Sequence, residues 1–478
     1  MASQSFAQQV RDRISLPAGL PSENPTSSAW QYPPADVAKA QSSTLPAITD
    51  VAIIGSGITG TSVAHTMLNH PSAAGLRITI LEARNACSGA TGRNGGHLVS
   101  DTCGRFESLV NALGVEEATS ILRFSEANIA ELKALVSQLE QEERDFIQLR
   151  EVNATDIVMD RKYLEESKRS LELLQATIPD TILKYGFVED QDIIKEGACA
   201  LWPYRLVTIL QKRLLDLHKG RFSLETNTAV TSVSHQDTPS GEPGYLLQTT
   251  RGAIKAKTVI HCTNGYASHL LPNLTGKLYP LRGTMSVQDP GSAFPRVGDR
   301  YSWTMIHQGR YDPETKRLTT GLYYAQQNAI TGDIYIGGES QEVDSLLTSD
   351  DSEVATSARE NISSIIPKMF SGADDTRVKA VWSGIMGFTT DWLPMVGNLG
   401  QVGTGQASNE WIAAGFNGHG MDKCWLTGQA IARMALGEDV PSWFPKSYLL
   451  TEERLKSCTL DASVALFQDT FVDTSAKI

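Results

Sequence analysis

Two hydrophobic patterns alternate along this chain, short continuous apolar runs and helical three-and-four spacings, and the sharpest change between them falls at residues 51–68, VAIIGSGITGTSVAHTML. The run DVAIIG predicts a buried strand, GSGITG a turn and TSVAHTMLNH a helix, after which LRITILE predicts a second strand ending at Glu82. These residues read as one βαβ unit. Residues 105–145 repeat apolar positions at helical spacing and predict helices that open a second domain. Alternating segments at 222–234, 245–250 and 256–263 predict strands that return to the first domain, whereas RGTMSVQ, RLTTGLYYA and DIYIGG predict an antiparallel sheet in the second. NEWIAAGFNGHGMDKCWLTGQAIARMALG predicts a strand, a glycine turn and a long helix that Gly437 ends. Residues 1–50 are rich in Pro, Ser, Ala and Gln and predict an extended surface arm without regular structure, pinned by Trp30 and Tyr32. The fold class is α/β: a doubly wound, Rossmann-like domain from 51–104, 196–275 and 376–478, interleaved with an α+β domain from 105–195 and 276–375 built on the antiparallel sheet.

The glycines give the first unit its chemistry. Gly55 suits a tight turn, Gly57 a close backbone approach to a pyrophosphate and Gly60 the packing of helix on strand, while the helix N-terminus attracts negative charge. Glu82, 22 residues beyond Gly60, stands where an acid binds ribose hydroxyls. The plainer alternative is a glycine-rich loop that only packs a βαβ unit. A nicotinamide-using flavoenzyme carries a second fingerprint, but GTGQAS from Gly403 ends in Ser408 and follows no predicted strand, so one tightly held dinucleotide is expected.

Composition narrows the partners. No apolar run reaches the ~18 residues of a membrane helix. With 42 basic and 54 acidic residues the net charge is −12, which disfavours nucleic acid, and no Lys/Arg cluster offsets it. Six scattered cysteines without C-x-x-C pairs argue against a metal site or a disulfide framework and fit a reducing compartment. The N-terminal MASQSFAQQVRDRI lacks a secretory signature, so the chain is expected inside the cell: in the cytoplasm or, from the SKL-like Ala476, Lys477 and Ile478, in the peroxisome. Nothing in the pattern fixes the oligomeric state.

Five segments in order resemble the flavin-dependent amine oxidases of the D-amino-acid oxidase and sarcosine oxidase type. VAIIGSGITGTSVAHTML is similar to their FAD-pyrophosphate motif, LEARNACSGATGRNGGHL to the acid-ended strand and flavin loop, and AKTVIHCTNGYASHLLP to the strand that closes over FAD. VWSGIMGFTTDWLPMVG matches their W-x-G…T-x-D-x-x-P-x-x-G segment, and AAGFNGHGMDKCWLTGQAIARMALG their C-terminal turn and helix. CSGATGRNGGHL looks closest to the branch that includes γ-glutamylputrescine oxidase, and the proline-rich arm is similar to that of fungal members. The resemblance implies oxidation of a small amine or amino acid by FAD, with O₂ as acceptor and hydrogen peroxide as product. It implies cofactor contacts at Gly55, Gly57, Ile58, Thr59, Gly60, Glu82, Ala83, Arg84, Ser88, Thr91, Gly92, Arg93, Asn94, Val230, Thr263, Asn264, Gly384, Gly415, Asn417, Gly418, His419, Gly420 and Met421, and catalytic roles for His97, Tyr324, Tyr335, His419 and Lys423.

Each candidate also has a structural alternative. Arg93 and Asn94 contact flavin or substrate, or brace their loop; His97 and His419 act in chemistry, or cap backbone groups; Arg282 meets a substrate carboxylate, or is solvated. Tyr323 and Tyr324 alternate, so only one faces the cavity. Trp382 reads as packing, Asp391 as a loop tie, and Cys87 and Cys262 as small buried apolar residues. The departures are equally informative. Where sarcosine oxidases attach flavin through cysteine this chain has Gly384, and where relatives use histidine it has Arg93, so non-covalent FAD is expected, with Cys87 and His97 as remaining candidates for a link. Tyr335 replaces the oxygen-activating lysine, and Met421 and Asp422 displace Lys423 from the carboxylate-binding position, which leaves Asp422 suited to a cationic amine. Three rivals stay open: a dehydrogenase with another electron acceptor, a flavin-binding scaffold without turnover, and a flavin hydroxylase using NADPH.

Overall fold

Val51–Ile54 is buried at all four positions, and such a strand has no polar face to turn to water, so it lies inside a sheet. The computed structural model describes residues 5–181, 184–188, 192–237, 243–338, 340–402 and 409–471; GTGQAS and the C-terminal tripeptide lie outside the described residues. The sheet has the order Met395–Asn398, Glu410–Ala414, Thr258–His261, Val51–Ile54, Ile78–Leu81 and Phe222–Glu225, parallel throughout except for the first pair. Parallel sheets need cover on both faces. Val51 and Ile53 pack towards the helices Ile58–Asn69 and Cys424–Ala435, and Ala52 and Ile54 towards a three-stranded sheet of Val230–Asp237, Pro243–Thr249 and Gly252–Ala256. Of the three segments expected to return to the first domain, 222–225 and 258–261 join the parallel sheet and the rest form this separate cover. Gly428 lets the two helices meet, because a Cβ there would stand 2.5 Å from Ser62 Cβ.

The second unit is a nine-stranded sheet in the order Arg377–Thr389, Leu278–Asp289, Ile334–Gly337, Leu322–Gln327, Tyr301–Ile306, Arg150–Val158, Asp192–Ala200 and His97–Leu98, with Lys184–Val188 on Asp192–Ala200. It is antiparallel except where Tyr301–Ile306 pairs in parallel with Arg150–Val158, a departure from the all-antiparallel expectation. RLTTGLYYA, expected as one strand, is two: Arg317–Thr319 belongs to a small separate sheet and Leu322–Gln327 to the large one. Gly321 makes the break, with φ +79° and a Cβ position 2.2 Å from His307 O. Helices Thr102–Leu113 and Val115–Ser137 fill the region expected to be helical.

The N-terminal arm departs from expectation. Phe6–Ile14 is an α-helix with Ser5 as its cap, and Val10 and Ile14 pack with Val464 and Phe467 of the last helix. Apolar Phe6, Val10 and Ile14 repeat every four residues, a helical signal that the Pro- and Ser-rich stretch after it obscured. Trp30 is buried and pins the arm, whereas Tyr32 is 76% exposed and does not. Among the described residues no helix is long and apolar enough to cross a membrane.

Candidate functional site

A cavity of about 740 Å³ runs from the carboxyl ends of the parallel strands to the inner face of the large sheet. At its first end the glycine turn is held at contact distance. Gly55 has φ +109°, with its Cβ position 2.6 Å from Cys262 O, and at Gly60 a Cβ would lie 2.0 Å from Gly55 O. Thr91 Oγ1 accepts from the Ile58 N–H at 3.1 Å and would be crowded by a side chain on Gly57, whose Cβ position lies 3.1 Å from it. Glu82 has a second task beyond the expected one: its Oε2 accepts from Ser56 N–H and Oγ–H at 3.0 and 2.6 Å, and its Oε1 from Arg84 N–H at 3.0 Å. The acid therefore builds the turn as well as facing the cavity.

The wall here suits a polar dinucleotide. Thr263 Oγ1, the Tyr266 hydroxyl and His269 Nε2 line it or its rim, are buried, and have no hydrogen-bond partner. Buried polar groups are rarely left so, and the polar atoms of a bound dinucleotide would fit them. Nineteen expected cofactor residues line the cavity: Gly55, Gly57, Ile58, Thr59, Glu82, Ala83, Arg84, Thr91, Arg93, Asn94, Val230, Thr263, Asn264, Gly384, Asn417, Gly418, His419, Gly420 and Met421. Four stand behind the wall instead. Gly60 and Gly92 pack against backbone carbonyls of Gly55 and Cys87, Gly415 packs against Thr389, and Ser88 offers its carbonyl to Arg93 Nε–H at 2.7 Å. Gly19, Leu20 and Pro21 of the arm also line the cavity, as do Tyr266 and His269, and the motif reading missed all five. The last two lie just past Asn264 and were legible by position; the arm residues carry no motif.

Arg93 lines the cavity, but its Nε and Nη1 are engaged within the protein. It donates to Ser88 O and, at 2.8 Å, to Ser383 O, and lies 3.7 Å from Asp351, which also binds Arg84 at 2.9 Å. Burial lowers its pKa to about 10, partly offset by Asp351. Asn264 Oδ1 accepts from Gly415 N–H and Asn417 Oδ1 from Thr389 N–H, so both asparagines shape the C-terminal turn.

At the other end Leu281, Gly283, Met285, Thr304, Ile306, Leu322 and Tyr324 come from the large sheet. Tyr324 faces the cavity and Tyr323 the core, which settles their alternation. The Tyr324 ring occupies the space a Cβ would take on Gly95 or Gly337, at 2.6 and 2.4 Å. His97 Nε2–H donates to Ala325 O at 3.2 Å, and burial lowers its pKa to about 4, so the ring is neutral. His419 is 39% exposed to the cavity; burial lowers its pKa despite Asp101 at 3.9 Å.

Two expected catalytic residues are placed elsewhere. Tyr335 shares the sheet face of Gly337, but Trp30 stacks on it at 3.9 Å, Trp202 and Trp382 pack at its edges, and it does not line the cavity. Lys423 is buried between two carboxylates, donating to Asp101 Oδ1 at 2.9 Å and to Asp422 Oδ1 and Oδ2 at 2.8 and 2.7 Å. Burial opposes charge on Asp101, but Lys423 and neighbouring cations outweigh it and hold the carboxyl well below its usual range; burial raises Asp422. Asp422 is thus already engaged, also accepting from Ser125 Oγ–H at 2.7 Å, and is not a free partner for a cationic amine. Arg282 is buried behind the sheet and donates to Asp350 O. Of the two candidates for a flavin link, Cys87 is fully buried, its thiol pushed well up by burial, and does not line the cavity, whereas His97 does. Asp391 ties its loop through Leu393 N–H and Arg454.

Comparison with known proteins places the chain in a family. The family model described as "FAD dependent oxidoreductase" (DAO) matches residues 50–434. Gamma-glutamylputrescine oxidoreductase of Escherichia coli K12 is 24% identical over 405 residues, 81% of this chain and 84% of that one. Among solved structures, glycine oxidase from Geobacillus kaustophilus superimposes with TM-score 0.62 at 18% identity, covering 84% of this chain and 98% of its own. L-proline dehydrogenase from P. horikoshii gives 0.63 at 18% identity, covering 87% and 100%. These structural likenesses concern the fold.

Proposed function

The chain belongs to the DAO family of FAD-dependent oxidoreductases, and from that premise we propose that it oxidises a carbon–nitrogen bond of an amine or amino acid, with O₂ as the final electron acceptor. The observation that carries this reading is the cavity wall opposite the glycine turn: Leu281, Met285, Ile306, Leu322, Tyr324 and a neutral His97. Such a wall favours an uncharged amine over an ammonium ion, and only the uncharged amine has the lone pair that assists loss of hydride. The named relatives act on γ-glutamylputrescine, glycine and L-proline, all carbon–nitrogen donors.

Bound FAD supplies the two-electron acceptor for that hydride. The chain's own residues do the rest. Gly55, Gly57 and the helix N-terminus at Ile58 would hold the pyrophosphate, and Glu82, Thr263, Tyr266 and His269, which line the same end of the cavity, would hold the nucleoside. Asn264 and Asn417 fix the turn at Gly418 to Met421, just before the N-terminus of helix Cys424–Ala435, whose dipole favours negative charge on the reduced cofactor. Tyr324 orients the substrate and the apolar strands exclude water. In sum, amine and O₂ give imine and hydrogen peroxide, and water hydrolyses the imine to a carbonyl compound and ammonia or an amine. In this reading FAD is held without a covalent bond: Gly384 offers no thiol where sarcosine oxidases attach flavin and Cys87 does not line the cavity, while His97 does and is the remaining candidate for a link. A peroxide product also gives the SKL-like tail a use as a peroxisomal address, testable by fusing it to a fluorescent reporter.

A second reading is favoured by one observation: Tyr335, which the family resemblance aligns with the oxygen-activating lysine, carries no amine, is stacked under Trp30 and does not line the cavity. A dehydrogenase then passes its electrons to another acceptor. Anaerobic mixing with primary and secondary amines and with D- and L-amino acids decides. Bleaching followed by fast recovery and peroxide in air supports the oxidase, bleaching with slow recovery supports the dehydrogenase, and no bleaching by any of them refutes both.

A further inference from the structure

The inner face of the large sheet carries two apolar side chains that take no part in the core. Register sets Tyr324 opposite Thr304 and, two residues on, Leu322 opposite Ile306. All four are half-buried and line the cavity, whereas Trp303, Met305, Tyr323 and Ala325, which alternate with them, belong to the cluster of Ile334 and Ile336 on the other face. Leu322 and Ile306 join none of the apolar clusters formed by the described residues. Apolar surface left open inside a cavity gains when a ligand covers it.

The pair lies between two polar boundaries. On one side is the corner of Tyr324 and His97, rings 6.1 Å apart, where Tyr324 orients the substrate in the proposed reaction. On the other the strand pair closes with His307 N–H donating to Gly321 O at 2.9 Å, and Thr320 and the exposed Gln308 form the rim of the cavity. Farther along the Tyr324 row, register sets Thr304 opposite Asp156, whose carboxylate is already taken up by Lys195 at 2.7 Å. From the Tyr324 row to the Leu322 row is one step of two residues, roughly 7 Å, or about five methylenes of extended chain. A charged or hydroxylated tail lying there would lose water without gaining a partner, whereas each methylene covered is favourable.

We propose that Leu322 and Ile306 form a specificity strip for the tail of the substrate, which makes the preferred substrate an amine with an uncharged, linear apolar chain of about six carbons. That the carbon next to nitrogen is the one oxidised rests on the amine-oxidising reading; the binding of the chain does not.

The test uses the FAD-loaded protein, its flavin reduced beforehand so that binding is separate from turnover, and straight-chain primary amines from ethylamine to octylamine. The alcohol 5-aminopentan-1-ol serves as the polar counterpart of hexylamine. Calorimetry is expected to show binding tighten about fourfold per methylene as far as hexylamine and level off beyond it, with the alcohol at least ~10-fold weaker than hexylamine. In Leu322→Thr and Ile306→Thr, which keep β-branched side chains suited to a strand, the gain per methylene is expected to shrink while ethylamine binds as before. If a variant fails to load FAD, the comparison of hexylamine with the alcohol decides on the unaltered protein. No binding by any of these amines, affinity independent of chain length, equal binding of hexylamine and the alcohol, or an undiminished gain in both variants overturns the strip. Flavin bleaching is read separately, on the oxidised protein. Chain-dependent binding with no bleaching by any amine sinks the amine-oxidising reading while the strip stands, and bleaching without dependence on chain length does the reverse.

Discussion

A methyl group added at Gly60 would sit 2.0 Å from Gly55 O, closer than any atom pair tolerates, so Gly60→Ala must push helix from strand where the pyrophosphate binds. The expected loss is about 1–3 kcal/mol of stability together with most of the bound FAD, read from a thermal melt and the flavin content of the purified protein. His97 makes a pH prediction. Burial holds its pKa at about 4, below the ~6.5 of an unfolded chain, so between those values the unfolded state binds a proton that the native state refuses. Stability is therefore full above about pH 6.5 and falls towards pH 4, by up to ~3 kcal/mol. The urea midpoint is expected to drop less from pH 7 to 4.5 in His97→Asn than in the wild type; an equal drop places the effect on other groups. At this scale the glycines were legible, because a positive φ or a close approach is a local demand. Arg93 was not, because the partners that claim its guanidinium include Asp351 and Ser383, far along the chain.

Lys423 joins two elements, being the residue before helix Cys424–Ala435 and binding Asp101, the residue before helix Thr102–Leu113. Removing its charge leaves two carboxylates buried together. Lys423→Met is expected to cost about 3–5 kcal/mol, seen as a lowered denaturant midpoint, and Lys423→Met/Asp422→Leu to recover part of it; a neutral single variant would mean that the carboxylates find other partners. The elements themselves were mostly readable from hydrophobic period. What periodicity could not show was where a strand changes sheets, as at Gly321, or that a Pro- and Ser-rich arm begins with a helix whose apolar stripe meets Val464 and Phe467.

On the scale of the whole molecule that arm ties the two units together. Leu20 and Pro21 line the cavity, and Trp30 stacks on Tyr335 while donating from Nε1 to Asn94 O at 2.5 Å. Trp30→Ala removes a fully buried ring and is expected to cost about 3–5 kcal/mol and to speed FAD release, followed by the rise of flavin fluorescence on dilution; unchanged release means that the arm only covers the surface. Acid precipitation is expected to leave all the yellow colour in solution, as fits non-covalent FAD. The sequence by itself determined the dinucleotide turn, the βαβ unit and the family, because a pyrophosphate on a helix N-terminus demands glycines at fixed spacing within one short segment. Only the tertiary structure decided that Tyr324 faces the cavity while Tyr335 does not, that Lys423 is neutralised, and that Asp156 and Lys195 share the wall with Met285. Those outcomes depend on register and on residues hundreds of positions away, and a strand's own pattern specifies two faces without saying what will cover either.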